Sequence, residues 1–271
     1  MRAFALLAAI ALQAETADEI MAKVAANLER AAAERRQFVY NQTVRSRFIR
    51  TNGKVARQET RQYSVLPTPT ATEKKLVSVE GEIHRGKIVT KYTDPETRGK
   101  GLDIDAELLD NLTNDLVDDK HSRDGIPKNL FPLGADALAN YDFRLVGTKD
   151  YKGRLTHHLT FEPKKGGNGS PWKGDAYIDA AEYQPVQIAT DLNFKMPLFV
   201  RVVFGSNIRQ TGFAVTYQRV AENVWFPVSY GSEFRLDILF GYKRVITMAL
   251  TSSGFQRTKA ESSIQFETEE K

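Results

Sequence analysis

From residue 37 to residue 66 the side chains alternate with a period of two, and one dipeptide, Asn52-Gly53, interrupts the alternation. Phe38, Tyr40, Gln42, Val44, Ser46 and Phe48 fall on one face, and Val39, Asn41, Thr43, Arg45, Arg47 and Ile49 on the other. Asn-Gly between two such runs is a hairpin signal, because both central residues of the favoured turn need positive φ. The return strand, 55–66, puts Val55, Tyr63 and Val65 on one face and Gln58, Thr60, Gln62 and Ser64 on the other. Arg45, Arg47, Arg50, Arg57 and Arg61 are expected on a solvated face, with cross-strand pairing to Glu59 as the alternative. Short strands over 75–80 and 87–92 follow. From Tyr141 the alternation resumes at 141–151, 155–163, 175–179, 185–193, 199–205, 212–220, 225–236, 242–252 and 263–267. The fold class that fits is mainly β (α+β), one large curled antiparallel sheet.

Two stretches change the period. Thr16 and Glu19 have the spacing of a capping box, and Ile20, Val24 and Leu28 follow at helical intervals, so a surface helix is expected over 16–36. Ala106, Leu108, Leu109, Leu112, Leu116 and Val117 recur at three and four, behind Asp103, Asp105 and Glu107. Acids at the front favour a helix N-terminus, and Gly125 and Pro127 stop the pattern. A second helical piece is expected near 136–140. Together these make a helical insertion over about 102–140 that packs on one face or end of the sheet.

The chain opens with Met1-Arg2, the apolar run 3–12 and then Gln13-Ala14, the layout of a secretory signal cut near Ala14. The run is shorter than the about 20 residues of a spanning helix, so retention as an anchor is the second reading. Residues 15–271 then form a single periplasmic domain. A formal charge of +4 over 271 residues, with both signs interleaved, lacks the basic stripe of a nucleic-acid binder. With no cysteine and four histidines, His157 and His158 on opposite faces of one strand, no local spacing suggests a metal site. No nucleophile elbow or phosphate loop is present, and Asp103, Asp105, Asp118 and Asp119 lack the regular spacing and central glycine of a calcium loop. Catalytic, cofactor and metal residues are therefore expected to be none, and the chain is read as a non-enzyme. The helical insertion also argues against an outer-membrane barrel.

Aromatic residues are spread over both strand blocks. A curled sheet of this size either fills its own interior or leaves a cavity for an apolar ligand. Trp172, Gly174, Ala176, Ile178 and Asp179, followed by Pro185, form a W-x-G-x-A-x-I-D stretch on a strand and turn. With the order signal, helix, strands, helical insertion, strands, this stretch resembles the LolA/LolB lipoprotein-carrier superfamily, and within it the outer membrane lipoprotein-sorting proteins. The resemblance implies an unclosed barrel with helices as a lid, and carriage of a lipid or acylated protein without cofactor or metal. Lining residues expected for such a cavity are Phe38, Tyr40, Phe48, Tyr63, Leu109, Leu112, Leu116, Tyr177, Ile188 and Phe204. A structural or interaction protein of the envelope, with a filled core and a protein partner, is the alternative.

Overall fold

The computed structural model describes residues 15–68, 72–97, 103–118, 122, 124–165, 172–192, 206–238 and 241–258. The signal at 1–14, the expected strands at 199–205 and 263–267, and Phe204 lie outside them. Helix α1 (Ala17–Arg35) starts at its capping box: Thr16 Oγ1 accepts from Glu19 N at 3.3 Å, and Glu19 Oε2 accepts from Thr16 N at 2.8 Å. Its buried stripe is Ile20, Met21, Val24 and Leu28, widened by small alanines.

The strands follow as β1 (Phe38–Ile49), β2 (Val55–Pro67), β3 (Thr72–Arg85), β4 (Ile88–Tyr92), β5 (Tyr141–Tyr151), β6 (Arg154–Pro163), β7 (Trp172–Asp179), β8 (Pro185–Leu192), β9 (Ser206–Ala221), β10 (Val224–Ile238) and β11 (Tyr242–Arg257). The insertion between β4 and β5 holds α2 (Ile104–Val117) and the single turn α3 (Ala135–Leu138). All eleven described strands belong to one antiparallel sheet in the order β4-β3-β2-β1-β11-β10-β9-β8-β7-β6-β5. The sheet is not closed into a barrel: β4 and β5 stand at opposite ends, and the first and last strands meet in the middle.

A hairpin forms at Asn52-Gly53, but through a three-residue loop, Thr51-Asn52-Gly53, closed by the bond from Arg50 N to Lys54 O at 2.8 Å; Gly53 has φ +80°, where a side chain is disfavoured, while Asn52 does not adopt the positive φ of a two-residue turn. A register shift between Phe48 and Ile49 then turns Ala56 into the core in place of Val55. Gly212, expected to open a strand, lies inside β9 beside a second register shift.

Both helices cover the same face of the sheet. Under α1 a cluster joins Ile20, Val24, Leu159, Ile178, Val215 and Trp225. Under α2 another joins Phe48, Val65, Leu109, Leu116, Ile246 and Leu250. Phe131 and Tyr230 touch both clusters. The W-x-G-x-A-x-I-D stretch is structural in this setting. Asp179 Oδ1 accepts from Ala181 N and Glu182 N at 3.0 and 2.8 Å, closing the β7–β8 turn, and its Oδ2 accepts from Arg154 at 2.9 Å. Asn27 of α1 donates to the carbonyls of Glu182 and Tyr183 and so fixes the helix to that turn.

Candidate functional site

Helix α2 lies lengthwise along β2, and three tethers in sequence order give its direction. Asp103, its N-cap, accepts from Arg57; Asp110 accepts from Arg61; the carbonyl of Val117 accepts from Lys74, a residue of β3 opposite Val65. Seven helical residues rise about 10 Å, and the four strand residues from Arg57 to Arg61 span about 13 Å. Helix and strand therefore run side by side in the same direction. Asp105 reaches the other way, to β11, where Arg244 grips it through two nitrogens at 3.0 and 3.2 Å and the Tyr242 hydroxyl donates to it. Asp103 and Asp105 do form the helix front, as their position suggests, but they are ion-pair partners of the sheet rather than a solvated face.

Arg57 and Arg61 correct the expectation of a solvated hairpin face. They share parity with Tyr63 and Val65, and with Glu59 between them they form a buried charged row facing α2. Glu59 accepts from Arg61 and from the hydroxyl of Tyr92. Gly81 makes room for that second bond: a Cβ there would lie 2.0 Å from the Tyr92 ring. Burial works against the Arg61 charge, but Asp110 and Glu59 outweigh it and hold its pKa above the ordinary arginine value. Burial pushes the Tyr242 hydroxyl up as well, helped by Asp105.

The row is not fully satisfied. Arg57 is 1% exposed, yet its Nε and Nη1 have no hydrogen-bond partner among the described residues. Six residues along β2, Tyr63 pairs with Gln42 of β1, whose Oε1 is also unpartnered. Thr113 Oγ1, on the buried face of α2, is a fourth such atom. Orphaned polar groups inside a protein are rare; among the described residues these four stand on or beneath α2, and the others, Arg35 Nη1, His157 Nε2 and Gln184 Oε1, lie elsewhere.

The expected lining residues divide. Phe38, Tyr40, Phe48, Tyr63, Leu109 and Leu116 are buried in the cluster under α2, with Leu112 half-buried against it. Ile188 belongs to the cluster under α1. Tyr177 is on the opposite face, stacked between Tyr151 and His158 at 4.5 and 4.7 Å, because alternation in β7 sends Ala176 and Ile178 inward and Tyr177 outward. Phe38 and Tyr40 fill space more than they line it. With Phe226 and Phe255 they form an aromatic group whose ring centroids lie 4.7 to 5.6 Å apart. Burial raises the Tyr40 hydroxyl well above its usual pKa.

Between the two helices the face stays partly open. Tyr230 and Phe234 of β10 point to the helix-bearing side, being paired with the buried Leu250 and Ile246, and both are only half-buried. Leu108 and Leu112 of α2 pack against the same cluster as Tyr230 and Phe234 and are half-buried as well. Sequence reasoning named Leu112 here but not Leu108, Tyr230 or Phe234. His157 and His158 point to opposite faces, the first stacked on Tyr183 and the second bonded to Asp175 at 2.6 Å. Among the described residues no three His, Cys, Asp or Glu side chains converge to hold a metal ion.

No family model and no curated protein matches the chain. Solved structures to which it is similar include an outer membrane lipoprotein-sorting protein domain from Vibrio parahaemolyticus, the group that the Trp172–Pro185 stretch resembles. That pair is 9% identical with a TM-score of 0.36, covering 90% of this chain and 95% of that one. A DUF1329 family protein from Desulfovibrio piger is 12% identical with a TM-score of 0.32, over 89% of this chain and 95% of that one. Lipovitellin, in a structure describing its lipid–protein interactions, is 12% identical with a TM-score of 0.34, over 83% of this chain and 26% of that one. At these identities and TM-scores the likeness assigns neither membership of a family nor a ligand.

Proposed function

We propose that this chain binds an apolar ligand, a lipid or the acyl chain of a lipoprotein, on the helix-bearing face of its sheet, as a carrier or sensor in the bacterial envelope. The observation that carries this reading is a set of half-buried side chains, Leu108, Leu112, Tyr230 and Phe234, packed against the cluster under α2, with Tyr230 reaching the cluster under α1 as well. A group of apolar side chains left part-covered marks a place where something apolar docks. In this reading Leu109, Leu112 and Leu116 belong to a lid, Phe48 and Tyr63 form the floor beneath it, and Phe38, Tyr40 and Ile188 back it from either side. Residues 1–14 serve as a secretory signal and residues 15–271 as one domain working in the periplasm. No described helix is long and apolar enough to cross a membrane.

The test is a titration of the wild type and of Leu112→Trp with a fluorescent fatty-acyl probe, alongside urea melts of both. Saturable binding at one site, weakened in Leu112→Trp by more than its stability loss explains, supports the lid. Absence of binding, or equal loss of binding and stability, would instead favour a filled core and an envelope protein partner. N-terminal sequencing of the protein recovered from a bacterial periplasm checks the cut near Ala14; a mature start at Met1 contradicts it.

A further inference from the structure

Resting on that reading, we infer that the ligand carries an anionic head, a carboxylate or phosphate, and that Arg57 receives it. Four neighbouring strands set Phe234, Ile246, Phe48 and Arg57 in one cross-sheet row, so Arg57 stands three strands from half-buried Phe234, across the fully buried Ile246 and Phe48. Three strand spacings make that row about 14 Å long. Beyond Arg57 the row continues into Ile83, and the Tyr92 ring lies 5.9 Å from the guanidinium carbon. The charge therefore sits among rings and aliphatic groups, with one carboxylate, Asp103, on Nη2.

Among the described residues Nε and Nη1 have no hydrogen-bond partner, although the side chain is 1% exposed. Its neighbour Arg61 differs in the way that matters: Arg61 bonds both Glu59 and Asp110. Of two arginines on the same face of one strand, one is used up within the fold and the other keeps donors in reserve. Asp103 offsets the delocalised guanidinium charge through Nη2 and is itself 25% exposed, but it leaves Nε and Nη1 without a hydrogen-bond partner among the described residues. Nε–H and Nη1–H point from different edges of the guanidinium, so an anionic oxygen would meet one of them and gain there a charge-assisted hydrogen bond that a neutral head cannot match.

The experiment compares three probes sharing one alkenyl chain, oleate, oleoyl lysophosphatidate and oleyl alcohol, by calorimetric titration of the wild type, Arg57→Met and Arg57→Lys. The wild type is expected to bind at least one of the anions about tenfold or more tighter than the alcohol. That ratio should fall to about one in Arg57→Met and recover in part in Arg57→Lys, which restores charge without the planar fork. Preference for oleate identifies a carboxylate as the head, and preference for the lysophosphatidate identifies a phosphate. Equal binding of all three by the wild type, or an anion preference that survives in Arg57→Met, overturns the inference while leaving apolar binding intact. Failure of every probe to bind overturns the apolar-ligand reading and this inference with it.

Discussion

Replacing Arg57 by Met should leave the fold as stable as the wild type or make it slightly more so. The wild type holds two guanidinium nitrogens without hydrogen-bond partners among the described residues, in a side chain that is 1% exposed. Each such orphan lowers stability by about 1–3 kcal/mol, so removing both returns at least about 2 kcal/mol. What is lost is smaller. The pair with Asp103 ends on a carboxylate that is 25% exposed and that still accepts from Ala106 N at 3.1 Å, so it stays hydrated and capping. A pair of that kind contributes about 1 kcal/mol, and the edge-of-range contact with Tyr92 about 0.5 kcal/mol. Methionine covers the same apolar floor as the arginine stem. Glu59→Gln is the control. Glu59 is 1% exposed, and its loss deprives buried Arg61 of a counter-charge, which costs about 3 kcal/mol. Urea unfolding at constant slope reads both variants. A drop of about 3 kcal/mol in Arg57→Met, matching Glu59→Gln, would refute the reasoning: Arg57 would then be a fully satisfied structural arginine.

Other outcomes follow from the same contacts. Gly81→Ala should destabilise by about 1–3 kcal/mol through the collision with Tyr92, and Tyr92→Phe in the same background should remove little more, since the bond to Glu59 is already broken; additive losses in urea would count against this. Asp124→Asn should cost about 3 kcal/mol or more, because Arg35, paired with it at 2.5 Å and buried in the last turn of α1, loses its counter-charge; a shift under about 0.5 kcal/mol would contradict the pairing. Acid should fray the start of α1. Bonds from the backbone and side chain of Thr16 hold the Glu19 carboxyl below its ordinary value of 4.5. A depressed carboxyl stabilises above its unfolded pKa and loses that contribution as pH falls through the folded one. Amide exchange at residues 17–20 should therefore quicken, relative to the rest of α1, as pH falls below 4.5, and Glu19→Gln should remove that dependence.

Much of this architecture was legible in the chain because its signals are local. The capping box of Thr16 and Glu19, the Asn52-Gly53 turn and the switch of period at Ala106 each act within a few residues, and each element stands where the pattern puts it, although the turn takes three residues rather than two. The charged row was legible in geometry and misjudged in chemistry. Parity alone puts Arg57, Glu59 and Arg61 on the face of Tyr63, but their partners Asp103 and Asp110 lie 46 and 49 residues away, so nothing local says that the charges are compensated. Tyr177 went astray for a related reason. Its strand is half-buried on both sides, and which side the helices cover is decided by packing that no strand encodes alone. Tyr230 and Phe234 became visible only when register set them beside Leu250 and Ile246.

The most direct test of the central claim is native mass spectrometry of residues 15–271, purified from a bacterial envelope without detergent or organic solvent. A one-to-one adduct in the mass range of an acyl lipid, lost on delipidation and restored by adding the extracted lipid back, is the result this account predicts. A single ligand-free species that takes up no lipid on re-addition would contradict it and leave the helix-bearing face as a filled core.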